Sequence, residues 1–188
     1  MCGRMPVNAG GIDYFFCVCP IPAVRLSLGY NSFLNFILME QRINIQEQGQ
    51  EALRALFGIG AYLKKSPVGQ PLLNLIYFRV SQLNQCAYCL DMHHKDARAE
   101  GETEQRLYGL SAWRESPYYT DRERAALAWA EAVTACAAPD ALYNEVTAVF
   151  SDREVIDLTL AITTINTWNR INHAFYNEPG TYRAGQFG

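Results

Sequence analysis

Two four-residue signatures constrain this chain more than anything else in it. Thr120-Asp121-Arg122-Glu123 and Ser151-Asp152-Arg153-Glu154 both carry the capping-box pattern, in which a hydroxyl side chain and a glutamate satisfy the free amides at a helix start. They predict helices running to about Thr134 and Phe175. The helical period also fills the segments before them. Gln46 to Lys65 carries Ala52, Leu53, Leu56, Phe57, Ala61 and Leu63 near that period, despite Gly58 and Gly60. Ser66-Pro67-Val68-Gly69 breaks the run. Pro71 then suits a first helical turn, and Leu72, Leu73, Ile76, Val80 and Leu83 step at three and four. Asn84 reads as the N-cap of a fresh helix that stops at Gly101, Thr103 opens a short helix ending near Trp113, and Asp140 reads as the cap of a helix from Ala141 to Phe150. No segment shows the two-residue alternation of a strand. The expected class is all-α.

The chain has 188 residues, enough for one domain with its own core or for a subunit of an oligomer. It is 49% apolar and 19% charged with a net charge of -3, and its few basic residues are scattered. That profile gives no electrostatic case for a nucleic-acid partner or an anionic membrane surface. No run of 18 uncharged apolar residues is present, so no membrane span is expected. Residues 1–38 differ from the rest: they contain no lysine or glutamate, and they hold three prolines and half of the six cysteines. They are expected to be an N-terminal extension, with Met39 favoured as the start and 39–188 as the helical domain. Pro20 and Pro22 interrupt the one stretch that imitates a signal-peptide core, and the expected location is cytoplasmic.

Chemistry concentrates at Cys86-Ala87-Tyr88-Cys89-Leu90-Asp91-Met92-His93. On a helix at about 100° per residue, Cys86, Cys89 and His93 share one face. Cysteines at i and i+3 also fall within the Cα separation of about 4.4–6.8 Å that a disulfide tolerates. Two thiols in a helix's first turn meet free amides that favour a thiolate, and an imidazole one turn on can exchange a proton with Cys89. Cys89 is therefore the expected nucleophile, Cys86 the resolving thiol and His93 the proton relay. A zinc site is the competing reading. It would need a fourth ligand from Cys136, His94 or His173, none at a motif spacing. A pair of inert buried thiols is the third. His94 reads as a solvated residue, His173 as a polar residue of the last helix, the three tryptophans as core or interface, and Cys136 as packing.

Arg79-Val80-Ser81-Gln82-Leu83-Asn84, followed after one residue by Cys86-Ala87-Tyr88-Cys89-Leu90-Asp91-Met92-His93, resembles the AhpD-like branch of the carboxymuconolactone decarboxylase family. The likeness continues through Lys95-Asp96-Ala97-Arg98, Arg106-Leu107-Tyr108, Leu110 to Glu115, Glu123 to Glu131, and Asn166-x-Trp168-Asn169-Arg170, and it leaves residues 1–38 outside. The resemblance implies a compact multi-helix AhpD-like subunit that forms trimers or hexamers. It implies a peroxidase that reduces hydroperoxides or relays electrons to a peroxiredoxin, with an external thiol donor and no metal or organic cofactor. A decarboxylating lyase acting on a small lactone acid and a non-catalytic redox sensor are the alternatives. Two departures stand out. The family glutamate twelve residues before the first cysteine is Asn74, which can accept a hydrogen bond from imidazole but offers no full charge, leaving Asp96 as a candidate substitute unless it pairs with Arg98. Gln85 stands where relatives often have glycine, a strained choice if φ there is positive.

Overall fold

The computed structural model describes residues 40–187, and the expected extension over 1–38 lies outside them. The described residues form eight α-helices and no strand: α1 (Ile45–Gln48), α2 (Gln50–Leu63), α3 (Gln70–Leu83), α4 (Ala87–Ala99), α5 (Glu104–Gly109), α6 (Asp121–Thr134), α7 (Asp140–Thr147) and α8 (Asp152–Phe175). A 3₁₀ turn over Leu110–Ala112 follows α5. The all-α expectation holds.

Both capping boxes form, each with its hydroxyl accepting from the glutamate's backbone amide and its glutamate accepting in return. Thr103 caps α5, and Gly101 takes φ 93° after α4. Three boundaries differ from expectation. The segment read as one helix from Gln46 is split at Gly49 into α1 and α2. Pro139, not Asp140, occupies the N-cap position of α7, which ends at Thr147. Asn84 ends α3 instead of starting α4.

Within the described residues, α3 packs against α4, α6 and α8. Its Ile76 and Val80 have no exposed surface and meet Leu158, Ile162 and Ile165 of α8 together with Ala126 and Ala130 of α6 in one core. Each such aliphatic side chain contributes about 1.5–3 kcal/mol through burial. A second cluster joins Leu75 of α3 to Ala97, Leu107, Leu110, Trp113 and Leu127. Tyr62 and Ser66 bracket the end of α2, where a buried carboxylate ties it to α8. Asp157 accepts hydrogen bonds from Tyr62 Oη at 2.8 Å and Ser66 Oγ at 2.6 Å, with Arg153 at 3.3 Å. Burial alone would raise the Asp157 pKa; the bonds from Ser66 and Tyr62 and the charge of Arg153 outweigh it and hold the group below the ordinary carboxylate value.

No described helix is long and apolar enough to cross a membrane.

Candidate active site

The α3–α4 junction builds the site. As α3 ends, the Gln85 amide donates to the Gln82 carbonyl at 3.2 Å and the Cys86 amide donates to the Ser81 carbonyl at 3.1 Å. These are the two bonds of a Schellman motif, whose geometry requires a left-handed residue between them. That residue is Gln85, at φ 54°. The condition under which Gln85 would be strained is therefore met, and it carries the cost of a side chain in that conformation. The turn places Cys86 at the N-cap of α4, where its sulfur accepts from the Cys89 amide at 3.4 Å. Asn84 is not that cap. Its side chain instead donates to Asn166 Oδ1 at 2.9 Å and Asn169 Oδ1 at 2.8 Å on α8.

Cys86 and Cys89 are joined as a disulfide with a Cα separation of 5.3 Å, inside the window anticipated from their spacing. They are 2% and 0% exposed, so the cross-link lies in the core beside α8. His93 follows one turn along the same face and is 8% exposed. Its ring packs on Tyr77 of α3 at 5.1 Å between centroids. Its Nε2 is buried with no hydrogen-bond partner among the described residues. Burial disfavours the imidazolium and pushes the His93 pKa down to about 3, so the ring is neutral in the oxidised state.

Neither Asn74 nor the candidate substitute Asp96 hydrogen-bonds His93. Asn74 is buried, but its Oδ1 accepts from Gln70 Nε2 at 2.8 Å and its Nδ2 donates to Glu100 at 2.9 Å. It braces α3 against the end of α4 and borders a cavity of about 170 Å³ with Pro71, Ala97, Glu100, Gly101 and Glu102. Asp96 accepts from Tyr182 Oη at 2.8 Å and from the Gly185 amide at 3.0 Å, holding the C-terminal segment. It does not pair with Arg98, which pairs with Glu104.

The remaining candidates disperse. His94 is half-exposed and lies 3.2 Å from Glu104, and His173 is exposed with Nε2 2.8 Å from the Asn84 carbonyl oxygen. Cys136 corrects its expectation: it is exposed and sits at φ 55° just past the end of α6, where the backbone turn and not packing places it. Trp113 and Trp129 are buried, while Trp168 is half-buried against Phe57. No group of three His, Cys, Asp or Glu side chains converges as a metal site among the described residues.

One site residue escaped sequence reasoning. Asn172 of α8 is buried, and its Nδ2 donates to Cys89 Sγ at 3.3 Å and to the Trp168 carbonyl at 2.9 Å. Its signal was present: Asn166, Asn169 and Asn172 recur at every third residue of a helix whose facing neighbours are aliphatic.

Comparison with known proteins agrees with this architecture. The family model described as the carboxymuconolactone decarboxylase family matches residues 50–132. The uncharacterized protein YdfG of Bacillus subtilis (strain 168) is 42% identical over 143 residues, covering 74% of this chain and 97% of that protein. Among solved structures, a protein of unknown function from Agrobacterium tumefaciens, ATU0492, put forward as an AhpD antioxidant defence protein, is 41% identical with a TM-score of 0.73, over 76% of this chain and all of that one. An uncharacterized peroxidase-related protein from Silicibacter sp. TM1040 is 26% identical with a TM-score of 0.65, over 74% of this chain and 75% of that one. The chain belongs to the carboxymuconolactone decarboxylase family, in its AhpD-like branch.

Proposed function

We propose that the protein is a thiol peroxidase working through Cys89, Cys86 and His93. The observation that carries this reading is the Cys86–Cys89 cross-link formed within one helical turn, with His93 one turn beyond on the same buried face. In the reduced protein, neutral His93 takes the Cys89 proton. The resulting thiolate raises the imidazole's affinity for that proton, as an adjacent opposite charge does. The thiolate attacks one peroxide oxygen, the O–O bond breaks, and the departing alkoxide receives the proton from His93, leaving Cys89 as a sulfenic acid. Cys86 then attacks the Cys89 sulfur: the S–S bond forms as the S–O bond breaks, and the departing hydroxide takes up the proton lost by the Cys86 thiol and leaves as water. An external dithiol, or a peroxiredoxin-type partner in relay, restores the pair by two exchange steps. Because the disulfide is buried, that exchange proceeds through local opening of the α3–α4 junction.

In the same reading the subunit works as a homo-oligomer, a trimer or hexamer. Ile156 and Leu160 lie one turn apart on the outer face of α8, both exposed, and Tyr143 and Val149 are exposed nearby in the chain. Such apolar surface is of the kind a second copy covers. Light scattering should give a mass well above the 21.2 kDa of one chain.

The functional test is steady-state consumption of an organic hydroperoxide supported by a dithiol reductant. Wild-type protein should turn over repeatedly, and Cys89→Ser should abolish the reaction. Thiol oxidation that stops at one equivalent would identify a redox sensor in place of the enzyme.

A further inference from the structure

The Cys89 sulfur has a dedicated donor outside its own helix. Asn172 Nδ2 carries two hydrogens; one meets the Trp168 carbonyl at 2.9 Å and the other points to Cys89 Sγ at 3.3 Å. The amide's orientation is fixed chemically. A backbone carbonyl only accepts, so the atom facing Trp168 and the sulfur is the nitrogen. Its oxygen is engaged by Asn177 Nδ2, and Asn177 Oδ1 in turn accepts from Gln41 Nε2 at 3.0 Å. Three amides in series therefore hold one N–H against the sulfur, in a position with no exposed surface.

Among the described residues no group hydrogen-bonds His93 Nε2: Asn74 is bound to Gln70 and Glu100, and Asp96 to Tyr182 and Gly185. Among the described residues, the titratable groups seen at this corner include Cys86 and His93 on α4, Tyr77 on α3 and His173 on α8. None of these four is a fixed cation. Burial of a thiolate without a donor would be costly.

We propose that Asn172 is a catalytic residue that donates a hydrogen bond to the Cys89 thiolate and so sets its acidity. This rests on the assignment of Cys89 as the peroxide-reactive thiol. A hydrogen bond from a neutral amide to a charged sulfur favours the ionised form by roughly one to two pH units in a water-excluded site. At pH 7 the thiolate fraction, and the rates that depend on it, then change by about 10-fold or more.

The test uses the reduced full-length protein and the pH dependence of iodoacetamide alkylation at each cysteine, read by peptide mass spectrometry. Exposed Cys136 is the internal reference. In Asn172→Leu, which removes the donor, and Asn172→Asp, which keeps the shape but replaces the donor by an acceptor, the Cys89 profile should move at least one pH unit alkaline while that of Cys136 stays in place. Should Asn172→Leu fail to fold, Asn172→Ala, which removes the donor without adding a charge, decides in its place. A Cys89 profile unchanged in the folded variants overturns the proposal even if wild-type protein consumes peroxide. An alkaline shift in a protein that reduces no peroxide leaves Asn172 as the thiolate donor and overturns only the peroxidase reading.

Discussion

Replacing Asn74 by glutamate should damage this protein. The Asn74 side chain is 4% exposed, and its Nδ2 donates to the Glu100 carboxylate across 2.9 Å. Asn74→Glu removes that donor, a loss of about 1.5 kcal/mol because Glu100 is itself exposed to water. It also sets two carboxylates about 4 Å apart, which costs about 1–4 kcal/mol between the limits of bulk water and a protein surface. Gln70 can still donate to the introduced group and recovers part of this. The net expected loss is about 2–4 kcal/mol at pH 8, read as a lower urea midpoint for the oxidised protein. The sign with pH follows from the new group. Burial and Glu100 raise its folded-state pKa above the ordinary glutamate value of about 4.3. The deficit is therefore complete above that raised pKa, shrinks as pH falls through it, and is absent below the unfolded value, where a protonated carboxyl donates to Glu100 as the amide did. Glu100→Gln in the same chain should restore most of the stability. An Asn74→Glu protein as stable as wild type at pH 8, or one whose deficit grows on acidification, would refute the bracing role given to Asn74.

Gln85→Gly should stabilise the fold. It relieves a left-handed residue worth about 1–2 kcal/mol and loses part of that to the freer unfolded chain, giving a net gain of about 0.5–1 kcal/mol and a melting temperature higher by a few degrees in calorimetry. Asp157→Asn should cost about 1.5–3 kcal/mol at pH 7, since Tyr62, Ser66 and Arg153 all lose a charged acceptor. Because the folded pKa of Asp157 is depressed, its contribution is present above the unfolded carboxylate pKa and is lost as pH falls through the folded one, so wild type and variant should converge in stability in acid denaturation.

Local physics made much of this molecule legible before any coordinates. The two capping boxes, the Thr103 cap and the Gly101 stop depend on residues within one turn, and all four appear where the side-chain chemistry demands. The disulfide geometry also followed from spacing alone. The Asn84 reading failed because asparagine serves both ends of a helix, and the deciding partners, Asn166 and Asn169, lie more than 80 residues away. The roles of Asn74 and Asp96 were hidden for the same reason: each is bound by a group from another element, Glu100 for one and Tyr182 for the other. Cys136 was misread because apolar character was taken as burial, whereas its left-handed backbone places it on the surface. The Asn172 contact with Cys89 spans 83 residues, and only the three-residue repeat of asparagines on α8 hinted at it.

The most direct measurement of the central claim is made on reduced Cys86→Ser protein given one equivalent of cumene hydroperoxide and a sulfenic-acid trap such as dimedone. Without a resolving thiol, Cys89 should stop at the sulfenic acid and carry the adduct in peptide mass spectrometry, with one equivalent of alcohol released. In the matched Cys89→Ser protein, Cys86 should remain unmodified. Equal trapping at Cys86 in Cys89→Ser, or no adduct at Cys89 while the peroxide persists, would contradict the assignment of Cys89 as the peroxide-reactive thiol.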